Sequence, residues 1–121
     1  MSVSYFVRYK GQAENSHSFV EYYRKSHAPL LWQFPGIRDL ILHHPVNFDD
    51  PFPVSTGDEL MVAQMVFDSL EDLNRALASD ARARARDDFA NMPAFTGEVT
   101  HQAMLAETAL TVQLVQMDPM A

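Results

Sequence analysis

The chain has no cysteine, which removes disulfides, thiolate metal sites and cysteine nucleophiles from consideration at once. Glycine is scarce as well. The 4 present fall in no phosphate-cradling pattern, so a nucleotide cofactor finds no support. No serine occupies a Gly-x-Ser-x-Gly elbow that would make it an activated nucleophile. Basic residues number 9 against 16 acidic ones, for a formal charge of -7. Such a surface repels phosphate, which argues against nucleic acid and anionic membranes as partners. The local run Arg82 to Arg86, RARAR, does not alter this, because alternate residues of a helix point to different sides and Asp80, Asp87 and Asp88 flank it. It reads as a solvated face of mixed charge. Long apolar runs are also missing. None approaches the roughly 20 residues of a membrane helix, and the opening MSVSYFVRYK alternates like a strand and contains no signal-peptide core. The expectation is a cytoplasmic protein.

What is present is the composition of an ordinary folded domain, 47% hydrophobic and 21% charged over 121 residues. That length supports one core, here assigned to residues 1–116, with 117–121 as a frayed tail. Residues 3 to 10 alternate Val3, Tyr5, Val7 and Tyr9 against Ser4, Phe6, Arg8 and Lys10, and Gly11 closes this strand. Ser16 serves as the N-cap of a helix. Pro35 and Gly36 then turn the chain into a second strand, Ile37 to His44, followed by a proline-rich loop, 45–58, that is long enough to serve as a lid over a site. Leu60 to Phe67 is apolar on both faces except at Gln64, as expected of a strand covered on both sides. Ser69 and Asp72 resemble a capping box ahead of a helix that continues or restarts as far as Met92. A last strand covers Glu98 to Glu107, with a further edge strand expected within 108–116. The order strand, helix, strand, strand, helix, strand predicts an α+β, ferredoxin-like βαββαβ sandwich with a four-stranded antiparallel sheet. Because two helices shield only one face of that sheet, a homodimer is expected.

The residue of most chemical interest is His27. A helix from Ser16 places Phe19, Val20, Tyr23, His27, Leu30, Leu31 and Phe34 on one apolar stripe, so His27 faces inward. Pro29 lacks an N–H and disfavours a helical Ala28, so the helix should kink or end beside the imidazole. A broken turn next to a group that titrates near neutrality suits a proton-handling residue. A hydrogen-bonded helix-end histidine with no chemical role has the same pattern.

The segments HAPL (His27 to Leu30) and PGI (Pro35 to Ile37), with His44 closing the second strand and FDSLEDLNRALAS followed by Asp88 and Phe89, resemble the EthD family of the dimeric α+β barrel superfamily. That superfamily includes small cofactor-free enzymes such as methylmuconolactone methylisomerase. The resemblance implies a pocket between sheet and helices into which the first-helix histidine looks. It departs from many members in the long loop 45–58 and in having His43 beside His44, so the partner of His27 is open.

In such a pocket His27 is the expected general base or acid, Tyr5 or Tyr23 the hydrogen-bond donor to a developing oxyanion, and His44 or His101 the second proton group. Leu30, Leu31, Phe34, Trp32 and His101 are the expected contacts to a small hydrophobic substrate, although Trp32 lies off the stripe and fits a subunit contact or the surface equally well. No cofactor and no metal are expected, since the histidines lack paired spacing such as HxH or HExxH and adjacent histidines in a strand diverge. Haem or metal chemistry, known among relatives of the superfamily, and a non-catalytic small-molecule carrier or accessory protein of a degradation pathway are the alternatives.

Overall fold

The computed structural model describes residues 1–112. The chain runs through β1 (Val3–Ala13), α1 (Ser16–Tyr22), a π-helical turn (Tyr23–His27), α2 (Ala28–Leu31), β2 (Ile37–His43), β3 (Glu59–Phe67), α3 (Leu70–Leu77), α4 (Asp80–Asp87), a 3-10 turn (Asp88–Asn91) and β4 (Phe95–Leu105). The strands form one sheet in the order β2-β3-β1-β4 with every neighbouring pair antiparallel. This is the expected ferredoxin-like α+β sandwich, two split βαβ units with the helices on one face.

Strand alternation decides what each face presents. Val3, Val7 and Tyr9 of β1 pair across to Phe67, Ala63 and Met61 of β3, and all six are buried beneath Phe19, Tyr23, Leu73 and Ala76 of the helices. The opposite face carries Phe6 and Arg8, paired with Gln64 and Val62, and none of these four is fully buried. Ile41 and Met104 extend that outer face and are exposed. β3 is therefore apolar on both sides but covered on one only.

Several boundaries differ from the sequence expectation for identifiable reasons. β1 continues past Gly11, which pairs with Gly97 of β4 at positive φ (137° and 154°). A Cβ on either residue would run into the backbone of the facing strand, so the two glycines permit a close crossing and do not end the strand. The N-cap of α1 is Asn15, whose side chain accepts the Ser18 N–H at 3.0 Å, and Ser16 is already helical. The interruption expected beside Pro29 takes the form of a π turn that ends at His27, after which the chain resumes as α2. Ala28 keeps helical angles (φ -56°, ψ -40°) and its N–H bonds back to the carbonyl of Tyr23; this i→i−5 turn is wider than an α turn, which gives the proline ring room.

The second helical stretch restarts, as one of the two expected courses. Ser69 accepts the Asp72 N–H at 3.1 Å to open α3, and Ser79 accepts the Arg82 N–H at 3.3 Å to open α4. β2 ends at His43, because Pro45 beyond it has no N–H to carry the ladder on. β4 spans Phe95–Leu105, somewhat earlier than expected. Residues 108–112 form no strand, and the remainder of the expected edge strand, with the tail 117–121, lies outside the described residues.

Candidate active site

His27 is 1% exposed and ends the π turn. Its Nδ1 lies 2.9 Å from Oδ2 of Asp88, the first residue of the 3-10 turn after α4. Two further donors hold the same carboxylate: the Tyr22 hydroxyl gives a hydrogen bond of 2.7 Å to Oδ1, and the Asn91 side-chain amide gives one of 3.2 Å. An ionised carboxylate only accepts, so the His27 bond requires the proton on Nδ1 and leaves the lone pair on Nε2. The ring is fixed between Tyr23, at 4.8 Å between centroids, and Phe89, stacked at 5.3 Å.

Electrostatics favour the same protonation state. Burial lowers the His27 pKa below the ordinary imidazole value, against an upward pull from the hydrogen bond and charge of Asp88, and the net direction is down. For Asp88, burial raises the pKa, but the hydrogen bonds from Tyr22, His27 and Asn91 outweigh it and hold the carboxyl below its usual range. At neutral pH the pair is neutral imidazole and carboxylate, a base with an orienting acceptor behind it.

The cavity in front of His27 has a volume of about 20 Å³, room for roughly one water. It gathers Tyr5, Tyr23, His27, Leu31, Phe34 and His101 from the residues singled out in the sequence, and adds Tyr9, Arg82, Arg86 and Phe89. Tyr5 and His101 face each other at 5.9 Å between ring centroids, an arrangement set by β1–β4 pairing that puts Ala103 opposite Tyr5 and His101 opposite Val7. The Tyr9 and Tyr23 hydroxyls are buried next to each other, and neither makes a well-aligned hydrogen bond. Burial pushes the Tyr9 phenol up to about 12 and the Tyr23 phenol well above its ordinary value, so both remain O–H donors across the physiological range. A buried hydroxyl that lacks a full hydrogen bond costs roughly 1–3 kcal/mol, and both of these belong to residues that line the cavity with His27.

Three expected site residues are placed elsewhere. Leu30 is half-buried against the core and does not line the cavity. Trp32 is 55% exposed at the C-cap of α2, on the far side from the buried Leu31. His44 is exposed beyond the end of β2, in an open groove of about 930 Å³ that it forms with His43, Arg8, Val62 and the loop from Pro45 to Gly57. That groove is on the outer sheet face, so the loop is no lid over His27, and His43 binds Gln64 there at 2.8 Å. Asp88, Tyr22 and Tyr9 are the residues the sequence did not single out for chemistry. For Asp88 the available signal was its place next to Phe89 in the segment resembling the family. Among the described residues no three His, Cys, Asp or Glu side chains gather closely enough to share a metal ion.

A family model described as the EthD domain matches residues 12–96. The chain belongs to the EthD family. Among solved structures, an ethyl tert-butyl ether d (ethd) family protein from Bacillus halodurans is 24% identical with a TM-score of 0.70, covering 88% of this chain and 100% of its own. SnoaB, a cofactor-independent oxygenase from Streptomyces nogalater, is 16% identical with a TM-score of 0.61 and coverage of 90% and 96%. A monooxygenase from Streptomyces coelicolor, solved with nanaomycin D, is 17% identical with a TM-score of 0.61 and coverage of 93% and 92%. No curated protein matches the chain. At these identities the solved structures establish a shared fold. The EthD-family match includes the whole first helix with His27 and the turn that carries Asp88.

The depressed His27 pKa gives a test in stability. The unfolded chain takes up its imidazole proton near pH 6.5, whereas the folded chain does so only at lower pH, so the neutral histidine's contribution is whole above that value and is lost as pH falls below it. Denaturant titrations at pH 7 and pH 5 should show a smaller acid loss in His27→Gln than in the parent protein; equal losses would mean that the histidine is not buried neutral.

Proposed function

We propose that this EthD-family protein is an enzyme that moves a proton on a small hydrophobic molecule of aromatic or lactone type, without a bound cofactor, at the cavity between helices and sheet. The observation that carries this reading is the buried His27, oriented through Nδ1 by Asp88 and facing a cavity shared with two buried tyrosines. Nε2 takes a proton from an acidic C–H or O–H of the substrate, and the imidazolium so formed is stabilised by the Asp88 carboxylate. Tyr23 and Tyr9 donate to the oxygen on which negative charge develops. His101, across the cavity, is the second group able to deliver or accept a proton, and Leu31 and Phe34 hold the apolar body of the substrate. Returning the proton to another carbon gives an isomerase; expelling a leaving group gives a lyase. Passing electrons from the anion to dioxygen gives an oxygenase, the chemistry named for SnoaB. His44, on the other side of the sheet, has no part in this site.

We also infer that the protein is a homodimer joined through the outer sheet face. Phe6, Val62 and Val66 are only half-buried there, Ile41 and Met104 are exposed, and the adjoining loop exposes Val46, Phe48, Phe52 and Val54. An apolar surface of this extent is unusual on a monomer, and a second copy placed face to face buries it by the same self-complementary contact on both sides.

Turnover is tested by screening small aromatic and lactone compounds, with product and oxygen uptake both followed, and repeating the active case with His27→Gln. Loss of roughly 10²- to 10⁴-fold in rate with the circular dichroism unchanged is expected, and full turnover in the variant would place the chemistry elsewhere. Light scattering at micromolar concentration should give twice the 13.7 kDa chain mass; a stable species at the single-chain mass would refute the dimer.

A further inference from the structure

The RARAR run of α4 divides between two faces. Arg84 turns outward and donates to Gln33 at 3.4 Å, whereas Arg82 and Arg86, one helical turn apart, line the cavity in front of His27. The residues just before each of them, Ala81 and Ala85, are small and buried, which brings the helix close to the core and lets the arginine stems reach round to the mouth. The Arg86 guanidinium rests over the Phe89 ring at 5.3 Å from its centroid.

The charge balance of the cavity is unexpected in a chain of formal charge -7. Arg24, Arg38 and Arg75 each hold a carboxylate within salt-bridge distance. Among the described residues Arg8, Arg82, Arg84 and Arg86 hold none, and of these four Arg82 and Arg86 line the cavity, although Asp80, Asp87 and Asp88 are close to them in sequence. Asp88 is committed to His27, Tyr22 and Asn91. Arg82 and Arg86 are therefore the formally charged side chains lining the cavity, and their field reaches its interior, where it contributes to lowering the His101 pKa after burial.

Two guanidinium groups without a protein carboxylate, beside an apolar cavity in an acidic molecule, match a ligand that brings its own carboxylate. We propose that Arg82 and Arg86 form a carboxylate-binding mouth, so that the substrate is a small aromatic or otherwise conjugated acid, with its anionic end on the arginines and its reactive proton at His27. This rests on the cavity being the reaction site. Planar guanidinium pairs with planar carboxylate through two parallel hydrogen bonds, which fixes orientation as well as affinity. The surrounding negative charge otherwise repels an anion, so this local reversal of sign also serves to admit it. Because the cavity as it stands has room for about one water, a ring is admitted only when side chains of the lining move aside.

The test compares benzoate with benzamide, a neutral molecule of nearly the same shape, by following tyrosine and histidine side-chain resonances in NMR titrations. Benzoate should bind about tenfold or more tightly than benzamide, as charge-assisted hydrogen bonds predict. The double variant Arg82→Gln with Arg86→Gln, which keeps most of both stems, should erase the preference, and Arg84→Gln, which removes a charge of the same helix outside the cavity, should leave it. Equal binding of both probes at the cavity overturns the carboxylate mouth and leaves the proton-transfer reading standing. A benzoate preference that survives the double variant, or binding of neither probe, also overturns the mouth. If the preference depends on the arginines but His27→Gln retains full turnover, the mouth stands and the role of His27 falls.

Discussion

The hydrogen bond from His27 Nδ1 to the Asp88 carboxylate organises the candidate site. It joins the end of the π turn to the end of α4, two segments that meet through no regular element, and it does so in the core beside Tyr23 and Phe89. A buried carboxylate persists only if its lone pairs are occupied; Tyr22 and Asn91 supply the remaining donors from the two sides of the junction. The same contacts that anchor the two helical segments to each other therefore choose the tautomer of the histidine. Packing and chemistry are satisfied by one set of bonds.

The sheet separates two environments. Its inner face carries the core and the cavity of His27, and its outer face carries an apolar surface with a polar line across it, in which His43 binds Gln64 and Gln64 in turn donates to Ser4 at 3.0 Å. Four of the five histidines divide between the two faces: His27 and His101 line the inner cavity, while His43 and His44 lie on the outer face. The π turn contributes to that division by continuing the first helix past Pro29, so that Leu31 and Phe34 still reach the inner face.

The fold was legible because its signals are local. Period-two alternation in β1 and β3, the stripe through Phe19, Tyr23 and His27, and the serine cap at Ser69 each depend on residues within a few positions of one another. The inward position of His27 followed from the same stripe. Its partner did not, since Asp88 lies 61 residues away and looks like one more acid beside an arginine run. The arginines themselves were read as a solvated face; alternation along a helix correctly separated Arg84 from its neighbours but left out that positions four apart share a side. Pro29 shows a local rule met in an unexpected form: the expected kink or end beside His27 is a widened turn, by which the chain absorbs the proline. His44 was placed by strand alternation that stopped one residue earlier.

The central claim is that the fold holds His27 as a neutral base with its lone pair on Nε2. Long-range ¹H–¹⁵N correlation spectra of protein labelled at histidine nitrogen test this directly at pH 7, because protonated and unprotonated ring nitrogens differ widely in shift. The account predicts a protonated Nδ1 and an unprotonated Nε2 for His27, with the Nδ1 proton moved downfield by the Asp88 carboxylate. A proton on Nε2, or on both nitrogens, at that pH would contradict it.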